Sequence, residues 1–133
     1  MKTLQTATAI LEAGTGVALL GFPSAVVTLL LGSGLDEPAA VILGRLAGAA
    51  LLTLGIACWF VRADAQSRAA RGLVSAMFGY NFVAVAILGF AGFSLHLRGI
   101  ALWPAVVIHA LMAAWCIGEL RRLPPAKPGE APT

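Results

Sequence analysis

Four stretches of this chain are long and apolar enough to be read as membrane-crossing helices: about Ala7–Leu31, Pro38–Val61, Gly72–Phe93 and Gly99–Leu120. The hydrocarbon core of a bilayer demands about 20 consecutive, mostly apolar residues, and each stretch meets that length. Composition points the same way. Of 133 residues 59% are hydrophobic and 11% charged, against roughly 45–50% and about 25% in soluble domains. So few charges do not cover that much apolar surface in water. A membrane β-barrel would show segments of about 10 residues with alternating polarity, and the sequence shows none. The reading is an all-α membrane protein, an up-down bundle of four transmembrane helices in a single domain over residues 1–123. Residues 124–133 (PPAKPGEAPT) are expected to form a disordered, proline-rich tail.

The first stretch is expected to stay in the mature chain. It outruns the apolar core of a signal peptide, about 7–15 residues, and carries Glu12. Orientation follows from the cations. Lys2, Arg62, Arg68, Arg71, Arg121, Arg122 and Lys127 flank one side of the four spans, and Arg98 alone flanks the other. Lys and Arg remain in the cytoplasm, so both termini and the middle loop are expected inside. No basic patch interleaved with aromatics is present, which argues against nucleic acid. The expected surroundings are a lipid bilayer, in a multi-pass protein.

Pro23, in GFPSAVV, removes a backbone donor and predicts a kink in the first span. Trp59, Trp103 and Trp115 fall near span ends, where aromatic belts sit. Gly44, Gly48 and Gly55 share one face of the second span, and Gly44 with Gly48 forms a GxxxG pair that admits close helix approach. Two uses are open for that face: packing within the chain, or contact with a second copy or a larger membrane complex.

The functional leads are the polar residues inside the spans: Glu12, Arg45, Tyr80, Asn81 and His109. Ionisable groups there are rare and tend to face the interior or a water-filled cavity. With each span centred in the bilayer and about 1.5 Å of rise per residue, His109 and Asn81 fall near the midplane. Arg45 falls about 7 Å outward and Glu12 about 12 Å toward the cytoplasm, too far apart to pair unless the Pro23 kink moves the first span. Two orientations are open for Arg45. It either snorkels outward toward Asp36 and Glu37, or faces inward as a permanent cation for a carboxylate, phosphate or quinone oxygen, which the neighbouring glycine face favours. His109 is expected to bond Asn81 or Tyr80, or to relay protons or ligate a cofactor.

Enzymatic constellations are missing. There is no zinc spacing, phosphate loop, nucleophile elbow or carboxylate pair. Cys58 and Cys116 form no CxxC and lie toward the reducing side, so they read as packing residues. The chain therefore reads as a non-enzyme, with no metal site and no cofactor named by its residues. The expected function is binding of a small amphipathic or anionic ligand at a polar intramembrane site. The alternatives are a non-catalytic accessory subunit, a proton-coupled small transporter using Glu12, or a haem or quinone carrier.

The strings GRLAGAALL and LWPAVVIHA, within helices of this general style, resemble small bacterial four-helix membrane proteins of the uncharacterised DoxX-like type. That resemblance implies a bacterial inner-membrane location and a compact bundle. It implies no catalytic residue.

Overall fold

A computed structural model of the protein describes residues 1–64 and 67–122, and the expected proline-rich tail lies outside the described residues. The described chain holds five α-helices and no strand: α1 Lys2–Gly21, α2 Pro23–Leu31, α3 Pro38–Val61, α4 Arg68–Phe93 and α5 Leu102–Arg122, with a 3-10 turn at Arg62–Asp64. Helices α3, α4 and α5 are each long and apolar enough to cross a membrane. Their surfaces agree, since Ile42, Leu46, Phe60, Phe82, Ile87 and Leu111 all point outward. Apolar exposure on that scale belongs to a protein solvated by lipid.

The expected first span, Ala7–Leu31, is not one helix. It is two, and their axes meet at 116°. The cause is local. Pro23 has no N–H to continue the ladder, and its ring pushes the preceding residue out of the helical region. Phe22 accordingly sits at φ −133° and ψ 56°, and Pro23 becomes the first residue of a new helix. Helix α1 also begins earlier than expected, at Lys2. Its 20 residues span about 30 Å on their own.

Helix α2 is held where the break sends it. It ends on Gly32 in the left-handed region, φ 84°, where a side chain would be strained. The Ser24 hydroxyl accepts from the Leu35 N–H at 2.9 Å, folding the following loop back onto α2. At the other side the Leu29 carbonyl accepts from the Ala101 N–H at 2.8 Å, tying α2 to the start of α5.

The long helices pack as two antiparallel pairs, α1 with α3 and α4 with α5, and these pairs touch each other much less. The first pair is a backbone-to-backbone seam. A Cβ at Gly48 would stand 2.8 Å from the Gly16 carbonyl oxygen, and one at Gly55 would stand 2.7 Å from the Ala13 nitrogen. Gly44 lies further along against Pro23 and Leu35. The glycine face is thus used within the chain. Lipid offers helices no hydrophobic drive to associate, so small residues that bring two backbones together supply the packing. The 2.7 Å ion pair of the Met1 ammonium with Glu119 brings the start of α1 to the last turns of α5.

Gly48→Ala is expected to destabilise the protein by about 1–3 kcal/mol, because backbone rather than a flexible side chain must move. Gly14 has nothing within 4 Å of its would-be Cβ. Gly14→Ala is expected to be neutral or up to about 1 kcal/mol stabilising. Reversible unfolding in mixed micelles measures both.

Candidate functional site

Where the two helix pairs face each other they leave a cavity of about 280 Å³. Helix α1 contributes Glu12 and Thr15 to its wall, α4 contributes Tyr80 and Asn81, and α5 contributes Ala105 and His109. Val26, Leu29 and Leu30 of α2 add an apolar wall, joined by Leu11 of α1, Leu88 of α4 and Ile108 and Met112 of α5. The 116° bend thus converts the end of the first apolar stretch from a membrane crossing into a wall of this cavity.

Four of the five sequence-selected polar residues meet here: Glu12, Tyr80, Asn81 and His109. Glu12 was expected about 12 Å toward the cytoplasm from the midplane on the assumption of a single long span. Because α1 runs only from Lys2 to Gly21, Glu12 stands at its midpoint instead. Asn81 stands at the midpoint of α4 in the same way.

Arg45 is the exception. It is exposed on α3 and does not line the cavity. The inward orientation favoured by the neighbouring glycines is therefore corrected. Gly48 and Gly55 are buried against α1, while Arg45 falls about 80° around the helix from the centre of that face, given 3.6 residues per turn. It has no ion-pair partner among the described residues, Asp36 and Glu37 included.

The polar groups of the cavity are of two kinds, committed and free. The Asn81 Nδ2 donates to the Met77 carbonyl at 2.8 Å. That bond fixes the amide, so the oxygen is what meets His109 Nδ1, also at 2.8 Å. In the neutral ring Nδ1 must then carry the proton and donate, which leaves the lone pair on Nε2. The Tyr80 ring packs edge-on against the imidazole, centroids 5.7 Å apart, and holds it from the side. Glu12, only 7% exposed, has neither hydrogen bond nor ion pair to another described residue.

Sequence reading missed Thr15 of this site, and with it a polar stripe that continues beyond the cavity to Thr8 and Gln5. Gln5, Thr8, Glu12 and Thr15 recur every three to four residues and form one polar stripe along α1. Gln5 and Thr8 are each 2% exposed, and the Gln5 carboxamide meets no partner. Buried polar groups of this kind are where internal water is held. The stripe was visible as a spacing, but the span was read from Ala7, which left Gln5 outside it. A second groove, about 510 Å³, lies along the α1–α3 seam between Ile10, Ile56, Trp59 and Phe60 and presents only apolar side chains.

Cys58 and Cys116 are both buried and free. No group of three or more His, Cys, Asp or Glu among the described residues has the geometry to hold a metal ion. Comparison with protein-family models, curated proteins and solved structures finds no match to this chain.

Asn81→Leu is expected to cost about 0.6 kcal/mol, the average for a hydrogen bond between membrane helices. The sharper readout is nitrogen-15 NMR of His109. The parent chain should show a protonated Nδ1 and a bare Nε2, and the variant a mixture of tautomers.

Proposed function

We propose that this chain is a small integral membrane protein that binds a small amphipathic ligand in the cavity between its two helix pairs. The observation that carries the reading is the convergence of Glu12, Thr15, Tyr80, Asn81 and His109, from three helices, on one cavity with an apolar opposite wall. Ligand sites are mostly apolar hollows with a few polar groups that fix orientation. At about 280 Å³ this one stands at the small end of the usual range of roughly 300–1,000 Å³. The anionic half of the sequence expectation rested on Arg45, which is exposed, and no Lys or Arg lines the cavity. The accessory-subunit reading rested on a free glycine face, and that face is occupied by α1.

In this reading α1, α3, α4 and α5 each cross the bilayer and α2 lies across their outer ends. Helix α1 alone is less apolar than a lipid-facing span requires, because its polar stripe is turned toward the protein interior. Both termini then lie in the cytoplasm, as the positive charges require. The bacterial inner membrane is the location implied by the DoxX-like resemblance of the helices.

Two measurements test this. Native mass spectrometry after mild purification should detect a bound small molecule on the parent chain and on Arg45→Ala, and none on Ala105→Phe, whose ring fills the cavity. Loss from Arg45→Ala with retention by Ala105→Phe would move the site to the exposed face of α3. A fluorescent protein fused to the C-terminus should fluoresce in bacterial cells, as such fusions do in the cytoplasm. A dark fusion of full length would reverse the orientation.

A further inference from the structure

The cavity's hydrogen-bonding inventory is lopsided. Most of its nitrogen donors are already engaged inside the protein, and the second N–H of Asn81 is the one left over. The Asn81 Nδ2 is bound to the Met77 carbonyl, and the His109 Nδ1–H is bound to the Asn81 oxygen. Most of what is left over accepts. The Glu12 carboxyl group, the Nε2 lone pair of His109 and the hydroxyls of Thr15 and Tyr80 have no hydrogen-bond partner among the described residues. The two hydroxyls can donate as well, but the carboxylate and the imidazole lone pair cannot. No Lys or Arg shares the cavity with Glu12, so its counter-charge is not supplied by the cavity wall.

A site that offers acceptors, one acidic group and an aromatic ring, beside an aliphatic wall, fits a ligand that brings both positive charge and N–H donors. We propose that the cavity ligand is an amphipathic ammonium bearing N–H hydrogens, a primary or secondary amine with a compact aryl or alkyl body. The ammonium lies between Glu12 and His109 Nε2, with the Tyr80 ring beside it to supply cation–π attraction, and its apolar body lies against Val26, Leu29 and Leu30 of α2. A quaternary ammonium carries the charge without the donors and leaves Nε2 unpaired, and a neutral body of the same shape leaves Glu12 unpaired as well. Unmet buried polar groups are what make such sites discriminate.

An ammonium could come from a free amine or from a lipid headgroup. Depth separates them. Glu12 stands half-way along the 20-residue α1, about 15 Å from either end, below the headgroup layer. The free amine is the source favoured by the geometry. This inference rests on the cavity reading above and adds the ligand's chemical class.

Tyr80 is the single tyrosine in the sequence, so carbon-13 labelling of tyrosine places one reporter in the cavity wall. The full-length labelled chain in maltoside micelles is titrated with 2-phenylethylammonium, with its neutral isostere propylbenzene, and with 2-phenylethyltrimethylammonium. The expected result is a saturable shift of the Tyr80 resonance by the primary ammonium, at about tenfold lower concentration than by either of the others. Glu12→Gln should bring the three together. Should that variant fail to fold, the comparison among the three probes on the parent chain decides alone. Equal binding of the ammonium and propylbenzene leaves the cavity in place and overturns its cationic ligand. Equal binding of the quaternary probe overturns the requirement for N–H donors. If no probe shifts Tyr80, the cavity reading itself fails and the inference falls with it. A shift of Tyr80 by added phosphatidylethanolamine would assign the site to a lipid headgroup and overturn the free amine.

Discussion

The break between Phe22 and Pro23 decides how the rest of this structure is arranged. Without a proline N–H the α1 ladder stops, and without helical backbone at Phe22 the chain cannot continue in line. The length of α1 follows from that stop, and with it the depth of every polar residue along it. Glu12 sits at the helix centre because the helix ends at Gly21 and not at Leu31. The nine residues after the break are too few to span hydrocarbon, at about 1.5 Å each. Turned by 116°, they become a cavity wall, and the Leu29–Ala101 and Ser24–Leu35 hydrogen bonds hold them there.

The second constraint is an asymmetry in how closely the helices approach. Along α1 and α3 the glycines at 16, 48 and 55 bring backbone against backbone. Between the two helix pairs side chains rather than backbones meet: Leu4, Val74, Met77 and Met112 gather with Ala9, Cys58 and Cys116 into the buried cluster that borders the cavity. Tight packing on one side and spacing on the other produce a hollow without any dedicated element to form it. Its polar lining is then set by which faces α1, α4 and α5 turn inward. The α4–α5 contact carries its own device, the Met77–Asn81–His109 chain of hydrogen bonds, which fixes the imidazole.

Much of the fold is legible in the residues. The third helix runs from Pro38 to Val61, as its apolar run reads, because a proline suits the first turn and the cations at 62, 68 and 71 follow the end. The pairing of Asn81 with His109 is similarly visible as two polar groups near mid-span. Depth along the first span is not, since hydropathy cannot separate a kink from a turn of 116°. Pro23 marks the place, but α2 is held at that angle by the Gly32–Leu35 loop that follows it and by Ala101, which is distant in sequence. Arg45 is the more instructive case. Its angular offset from Gly44 and Gly48 is fixed by helix geometry, but that offset points either to lipid or to a second neighbour. Helix α3 has one extensive neighbour, α1, and barely touches α4. Neighbour count is a property of the assembled helices, and no window of sequence contains it.

Helix α1 shows how that assembly changes the solvent a residue meets. Read alone, it carries Gln5, Thr8, Glu12 and Thr15 on one stripe and falls short of the apolarity of a membrane crossing. Each such group would be costly against lipid, where no water satisfies it. In the folded chain Gln5, Thr8 and Glu12 are buried, Thr15 stands at the exposed end of the stripe, and Ile10 and Val17 point outward. Helix α3 holds α1 through glycine contacts that need no polar partner. A stripe of this kind does little for stability, since the Gln5 carboxamide has no hydrogen-bond partner among the described residues. Its presence in a chain so poor in charge is what favours the cavity, rather than the exposed cation at Arg45, as the proposed binding site.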